Sequence, residues 1–150
     1  MNTDLIKKLK SQSTWRLFAL ILVTLNVYFG HYIKRQSQWI NESIPDENEK
    51  IPSALVIAIL VLGYLGAASS IASVVYKEGT LIVILGLAHY IWITCLCFWA
   101  LIAGRRVNML NSAEEGSETW FHGFWGMFFT PLYFNFKVNK LNEMLTGSEK

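Results

Sequence analysis

Three histidines (His31, His89, His122) and two cysteines (Cys95, Cys97) are the side chains best suited to bind a metal or move a proton. A zinc-type site needs spacings such as Cys-x-x-Cys or His-x-x-x-His, which turn neighbouring ligands towards one ion. No pair here has such a spacing. Cys95 and Cys97 are two apart, so on a helix they point to nearly opposite sides. Their place inside an apolar run suits small packing residues better than a disulfide. There is no glycine-rich phosphate loop, serine elbow or carboxylate pair, and the acids fall in polar connections. The sequence therefore points to no catalytic residue, no metal site and no cofactor.

Two polar residues stand inside apolar runs, where polar groups are costly and so mark candidate sites. His89 lies near the centre of one run. Histidine as a residue type suits a proton-sensitive or pore-lining role; a hydrogen bond to a neighbouring helix is the plainer reading. Asn26 lies in another and needs an amide partner in lipid, again most simply between helices.

The elements that must position these residues are membrane helices. Hydrophobic residues make up 53% of the 150-residue chain and charged residues only 16%, below the quarter or so usual in soluble domains. No charge occurs from Ile51 to Tyr76 or from Thr80 to Gly104, runs of 26 and 25 residues. About 20 apolar residues cross a bilayer as helix. The expected fold is an all-α integral membrane bundle of four transmembrane helices, at 15–33, 52–76, 80–103 and 119–136. Residues 1–14 form a cytoplasmic segment, with Leu5, Ile6 and Leu9 on one face of a short interfacial helix. Residues 137–150 form a cytoplasmic tail. The fourth span includes WFHGFWGMFFTPLYFNF at 120–136, nine of whose seventeen residues are aromatic. Trp and Tyr prefer interfaces and Pro131 permits a kink, so an interfacial or re-entrant helix is the alternative.

Four spans leave eight Lys and Arg on the side of the termini and the 77–79 turn, and five on the other side. The positive-inside rule then puts both termini in the cytoplasm. Net charge is only +2, which gives no footprint for nucleic acid. The second half of the 52–76 span is dense in small residues. Gly63, Gly66, Ala67, Ser70 and Ser73 form small-xxx-small pairs that let helices approach, within one chain or between copies.

The chain also repeats itself. Thr14-Trp15 is followed by Tyr28-Phe29 thirteen residues after the Trp, and Thr119-Trp120 by Tyr133-Phe134 at the same spacing. Both copies then turn basic, and both reach a triplet, Ile40-Asn41-Glu42 or Leu141-Asn142-Glu143. Thr24-Leu25-Asn26-Val27-Tyr28 with Tyr32, Lys34 and Ile40-Asn41, and Thr130-Pro131-Leu132-Tyr133 with Phe136-Lys137 and Leu141-Asn142, resemble a family of small bacterial membrane proteins. That family is classed only as a domain of unknown function, and it carries a twice-repeated Thr-x-Gly-Ile-Tyr, aromatic and basic motif. Asn26 and Pro131 stand where the family usually has Gly. The resemblance implies a membrane fold and no chemistry. With two whole spans between them, the copies are expected to run in opposite directions.

The expected function is a non-enzymatic, homo-oligomeric inner-membrane protein, a sensor or an anchoring subunit for a cytoplasmic protein partner. That partner would dock on Lys7, Lys8, Lys10, Lys137 and Lys140. The alternative is a small oligomeric channel lined by His89, Asn26 and the Ser69, Ser70 and Ser73 face.

Overall fold

A computed structural model describes residues 2–75 and 80–147. It is helical, with no strand among those residues. The order is α1 (Thr3–Leu9), α2 (Thr14–Val23), α3 (Val27–Glu42), α4 (Ser53–Val75), α5 (Thr80–Asn111) and α6 (Gly123–Gly147). Two helices are long and apolar enough to cross a membrane, and they correspond to α4 and α5. The 77–79 turn and residues 148–150 lie outside the described residues.

The expected first and fourth spans are each divided. Segment 15–33 breaks at residues 24–26. The N–H of Asn26 donates to the Ile21 carbonyl (2.8 Å) and that of Leu25 to the Leu22 carbonyl (3.3 Å). These crossed bonds are those of a left-handed helix cap, with Leu25 (φ 49°) in the position usually given to Gly. Asn26 (φ 71°) follows, also left-handed, as the cap of α3. Thr24 fastens both arms: its hydroxyl donates to the Leu20 carbonyl (2.7 Å) and accepts from the Tyr28 N–H (3.0 Å). The chain then doubles back. The Gln36 amide donates to the Leu9 carbonyl (3.1 Å), Arg35 to the Ser11 hydroxyl (3.0 Å), and the Tyr28 hydroxyl to Gln12 Oε1 (2.9 Å). At ten residues α2 is about 15 Å long, half a hydrocarbon core.

Segment 119–136 divides in the same manner. Thr130 has φ 46° and ψ −130° inside α6. The following Pro131 disfavours helical geometry at residue 130 and has no N–H to leave unpaired. Residues 123–129 descend along α5, and residues 131–147 return. Phe134 packs on Phe121 (5.3 Å between centroids), and the Lys137 ammonium donates to the Glu118 carbonyl (2.6 Å). Both apolar runs are therefore helical hairpins.

The repeat is visible in the structure, but its direction corrects the expectation. Leu25 and Thr130, at the two breaks, each lie ten residues after their Trp. After the break, buried positions coincide: Phe29, Gly30, Tyr32, Ile33, Gln36 and Ser37 against Phe134, Asn135, Lys137, Val138, Leu141 and Asn142. Both hairpins enter from the same end and return to it, so the copies run in parallel rather than inverted. The expectation counted each run as a full crossing, and a hairpin reverses nothing for the chain that follows.

That end is a polar head. The N–H of Asn2 donates to Asn111 Oδ1 (2.8 Å), and Lys8 pairs with Glu42 (3.8 Å), so α1 lies across the ends of α3 and α5. Lys34-Arg35 and Arg105-Arg106 do not stop their helices: α3 continues to Glu42 and α5 to Asn111. Leu5, Ile6 and Leu9 are buried within the protein and do not rest on lipid. Residues 137–147 continue α6 into the same core through Val138 and Leu141, so they are no free tail. The termini and both polar loops share one end, against an arrangement that set them on opposite sides. All eleven described Lys and Arg lie there, with all nine described Asp and Glu.

Two asparagines close the head. Asn41, near the end of α3, donates to the Ile51 carbonyl (3.0 Å) and accepts from the Ile51 N–H (2.8 Å). Asn108, near the end of α5, does the same with Phe121 (3.1 and 2.8 Å). In each case the clamped residue is buried and the next helix begins two residues later. An amide matches a backbone N–H and C=O together, so the buried Ile51 and Phe121 each have both backbone groups paired.

Candidate functional site

The tip of the first hairpin rests against α4 and α5 and leaves a small, half-open cleft. It is lined by Leu25, Asn26, Gly63, Gly66, Ser70 and His89 with Leu62 and Trp92. Each wall has a local cause. Asn26 is there because it tolerates the left-handed turn. Gly63 brings α4 close to the turn: a Cβ there would stand in ordinary contact with Trp92 Nε1 (3.5 Å) and the Asn26 carbonyl (4.0 Å). Trp92 is fixed by donating to the Ile59 carbonyl (3.1 Å) and packs obliquely on Phe29. His89 also packs on Trp92, 5.6 Å between centroids, and is itself exposed.

The sequence-expected intramembrane residues thus meet in one place, although no hydrogen bond joins them. Among the described residues Asn26 makes no interhelical amide bond; its backbone carbonyl takes the Phe29 N–H (3.0 Å). Ser70 turns to the Gly66 carbonyl (2.9 Å) and Ser73 to the Ser70 carbonyl (2.9 Å), as serines do inside helices. Gly63 and Ala67 are buried against their own chain. Gly66 has nothing within 4 Å of an added Cβ. The tightest helix approaches lie elsewhere. A Cβ on Gly30 would come within 3.1 Å of the Leu60 backbone, and one on Gly123 within 3.1 Å of Leu101.

The basic candidates separate. Lys7 and Lys8 on α1 and Lys10 just after it are exposed, and Lys8 pairs with Glu42. Lys140 is partly buried, 3.9 Å from Glu118. Lys137 is buried, with its ammonium on the Glu118 carbonyl, and is withdrawn from any docking surface. Burial, and secondarily the nearby Lys140, hold its pKa below the ordinary lysine value, against the pull of Glu118.

Sequence reasoning missed the polar seam between the hairpins. Asn135 donates to the Gln12 carbonyl (3.2 Å) and Thr14 hydroxyl (3.1 Å), and accepts from the Tyr32 hydroxyl (3.2 Å). The Trp99 indole donates to Ser37 (2.8 Å) alongside. The signal was present as Asn135 and Asn139 on one face of a helix, but only folding shows that they meet Gln12 and Thr14. The cysteines are free, with the Cys97 thiol on the Met127 carbonyl at 3.4 Å. Among the described residues no three His, Cys, Asp or Glu come together.

No family model, curated protein or solved structure matches this chain.

Proposed function

We propose that the chain is a non-enzymatic membrane protein that anchors, or reports to, a partner at the cytoplasmic face of a bacterial inner membrane. In this reading α4 and α5 cross the bilayer. The two hairpins enter only the near leaflet, and the head lies at its surface. The observation that carries it is charge segregation: every described charged residue sits at one end, while large apolar side chains are exposed around the rest. Trp15, Leu22, Val74, Leu87, Tyr90, Phe124 and Phe128 are examples. A water-soluble protein does not leave so wide an apolar belt uncovered. Basic residues favour the cytoplasmic side, which places the head and both termini there.

The exposed Lys7, Lys8 and Lys10 fit an acidic partner surface. Reporter fusions at both termini should read as cytoplasmic. Charge reversal at the three lysines should abolish co-purification of the partner and leave the protein in the membrane. Unchanged co-purification would remove the docking assignment.

The second reading is a small oligomeric pore, favoured by the gathering of Asn26, Ser70 and His89 around one cleft. Solute flux into liposomes that falls in His89→Ala would establish it; absence of flux from a reconstituted oligomer would dispose of it.

A further inference from the structure

The cross-section of the molecule is unequal along its length. On the head side of the Gly63 level, six helical segments run side by side: α2, α3, α4, α5, residues 123–129 and residues 131–136. Beyond that level, among the described residues, only α4 and α5 continue. Gly63 is opposite the tip of the first hairpin and ten residues into α4, about 15 Å from its start, near the middle of a bilayer core. The tip of the second hairpin is shallower. The Met127 carbonyl meets Cys97, seven residues before Gly104 on α5.

The outer faces of both short arms are built for lipid. Trp15 and Val23 on α2 are each 82% exposed, and Phe124 and Phe128 on residues 123–129 are 61% and 64% exposed. Their inner faces pack on α3 and α5 and carry Ile21 and Gly126. The hairpins are therefore permanent occupants of one leaflet, fixed by the fold and not by loose attachment.

We propose that this shape makes the protein a leaflet wedge, one that gathers on, and stabilises, membrane curved convexly on the head side. A helix is about 10 Å across, so four extra segments take roughly 300 Å² more area from the near leaflet than from the far one. Area inserted into one leaflet is relieved where that leaflet is convex, and shallow amphipathic insertions sense curvature for the same reason. The partner of this surface is the bilayer itself. The inference rests on the membrane placement of the preceding subsection.

The test uses the full chain with a fluorescent C-terminal tag. It is reconstituted head-outward, as checked by protease access, into a mixture of small and large vesicles of one lipid composition. The wedge predicts a severalfold higher protein density per membrane area on the small vesicles. Equal density on both sizes, with the protein resisting alkaline extraction, overturns the wedge and leaves the membrane reading standing. Release by alkaline extraction overturns the membrane reading and the wedge with it. A Phe124→Ser, Phe128→Ser double variant changes only exposed side chains of the shallow hairpin. It leaves the hairpin and its area in place, so it should keep most of the preference while remaining resistant to extraction. Loss of the preference in that variant, with its helical content unchanged, would assign the effect to those two rings and also overturns the wedge.

Discussion

The chain doubles back twice away from the polar head, once at Thr24–Asn26 and once at Thr130, and the two turns are made by different means. The first has no Pro or Gly. It sets two non-glycine residues left-handed, Leu25 and Asn26, and holds them through one hydroxyl that serves both arms. The second relies on Pro131, which removes the helical option for Thr130 and leaves no donor to satisfy. The arms that return from them are alike in burial, and the loops that lead out of α3 and into α6 are closed by the same asparagine device. The repeat thus preserves a shape and a clamp and leaves the turn chemistry free. A position that asks only for a chain reversal can be met by an αL-tolerant residue or by Pro, whereas a buried loop backbone needs a group that both donates and accepts.

The clamps give the largest expected effects. Asn108→Ala strands the N–H and C=O of buried Phe121 and should cost about 2–4 kcal/mol of stability. Asn41→Ala, at a more exposed site, should cost about half as much. Thermal unfolding in detergent checks both, and equal, negligible losses would end the parallel between the loops. Next is Gly30→Ala, which forces α3 off the Leu60 backbone and should cost about 1–3 kcal/mol. The second copy has Asn135 at this position, so Asn135→Gly tests a hydrogen-bond loss rather than a clash.

The turns come after these. Thr24→Val removes the hydroxyl between α2 and α3 and should cost about 1 kcal/mol, and Thr130→Val should cost less than about half of that. Leu25→Gly relieves the left-handed strain and should gain up to about 1 kcal/mol. A loss there would show that the Leu25 side chain matters more than its backbone. The smallest effect is electrostatic. Lys137 binds its proton less readily folded than unfolded, so the unfolded chain holds more protons between the depressed and the ordinary lysine pKa. Stability should therefore rise as pH climbs through that interval, and Lys137→Met should flatten the rise. An unaltered pH profile would show that Lys137 is not its source.

Much of this was legible in particular residues. The uncharged runs 51–76 and 80–104 announced α4 and α5, since apolar length and lack of charge are sequence properties. Paired Trp, Tyr and Phe spacings announced the two copies, and Leu5, Ile6 and Leu9 announced a shared face. Composition could not tell a span from a hairpin. Residues 15–33 and 119–136 are apolar enough for either, and the choice depends on Leu25 accepting a left-handed backbone and on Pro131 ending a helix instead of kinking it. The face of α1 was clear, but whether lipid or protein would cover it was not. Lys137 read as a free cation because nothing local marks the Glu118 carbonyl that meets it.

By itself the sequence determined that the chain is helical, that two of its runs are long enough to cross a bilayer, and where it repeats. These follow from the periodicity and length of apolar residues, which act locally. Only the tertiary structure decided that the repeats are hairpins entering from one end, that all described charge collects there, and that Asn26, Ser70 and His89 border one cleft. Those outcomes depend on contacts between residues far apart in the chain, such as Asn2 with Asn111 and Asn135 with Gln12, for which no local pattern in the sequence is a record.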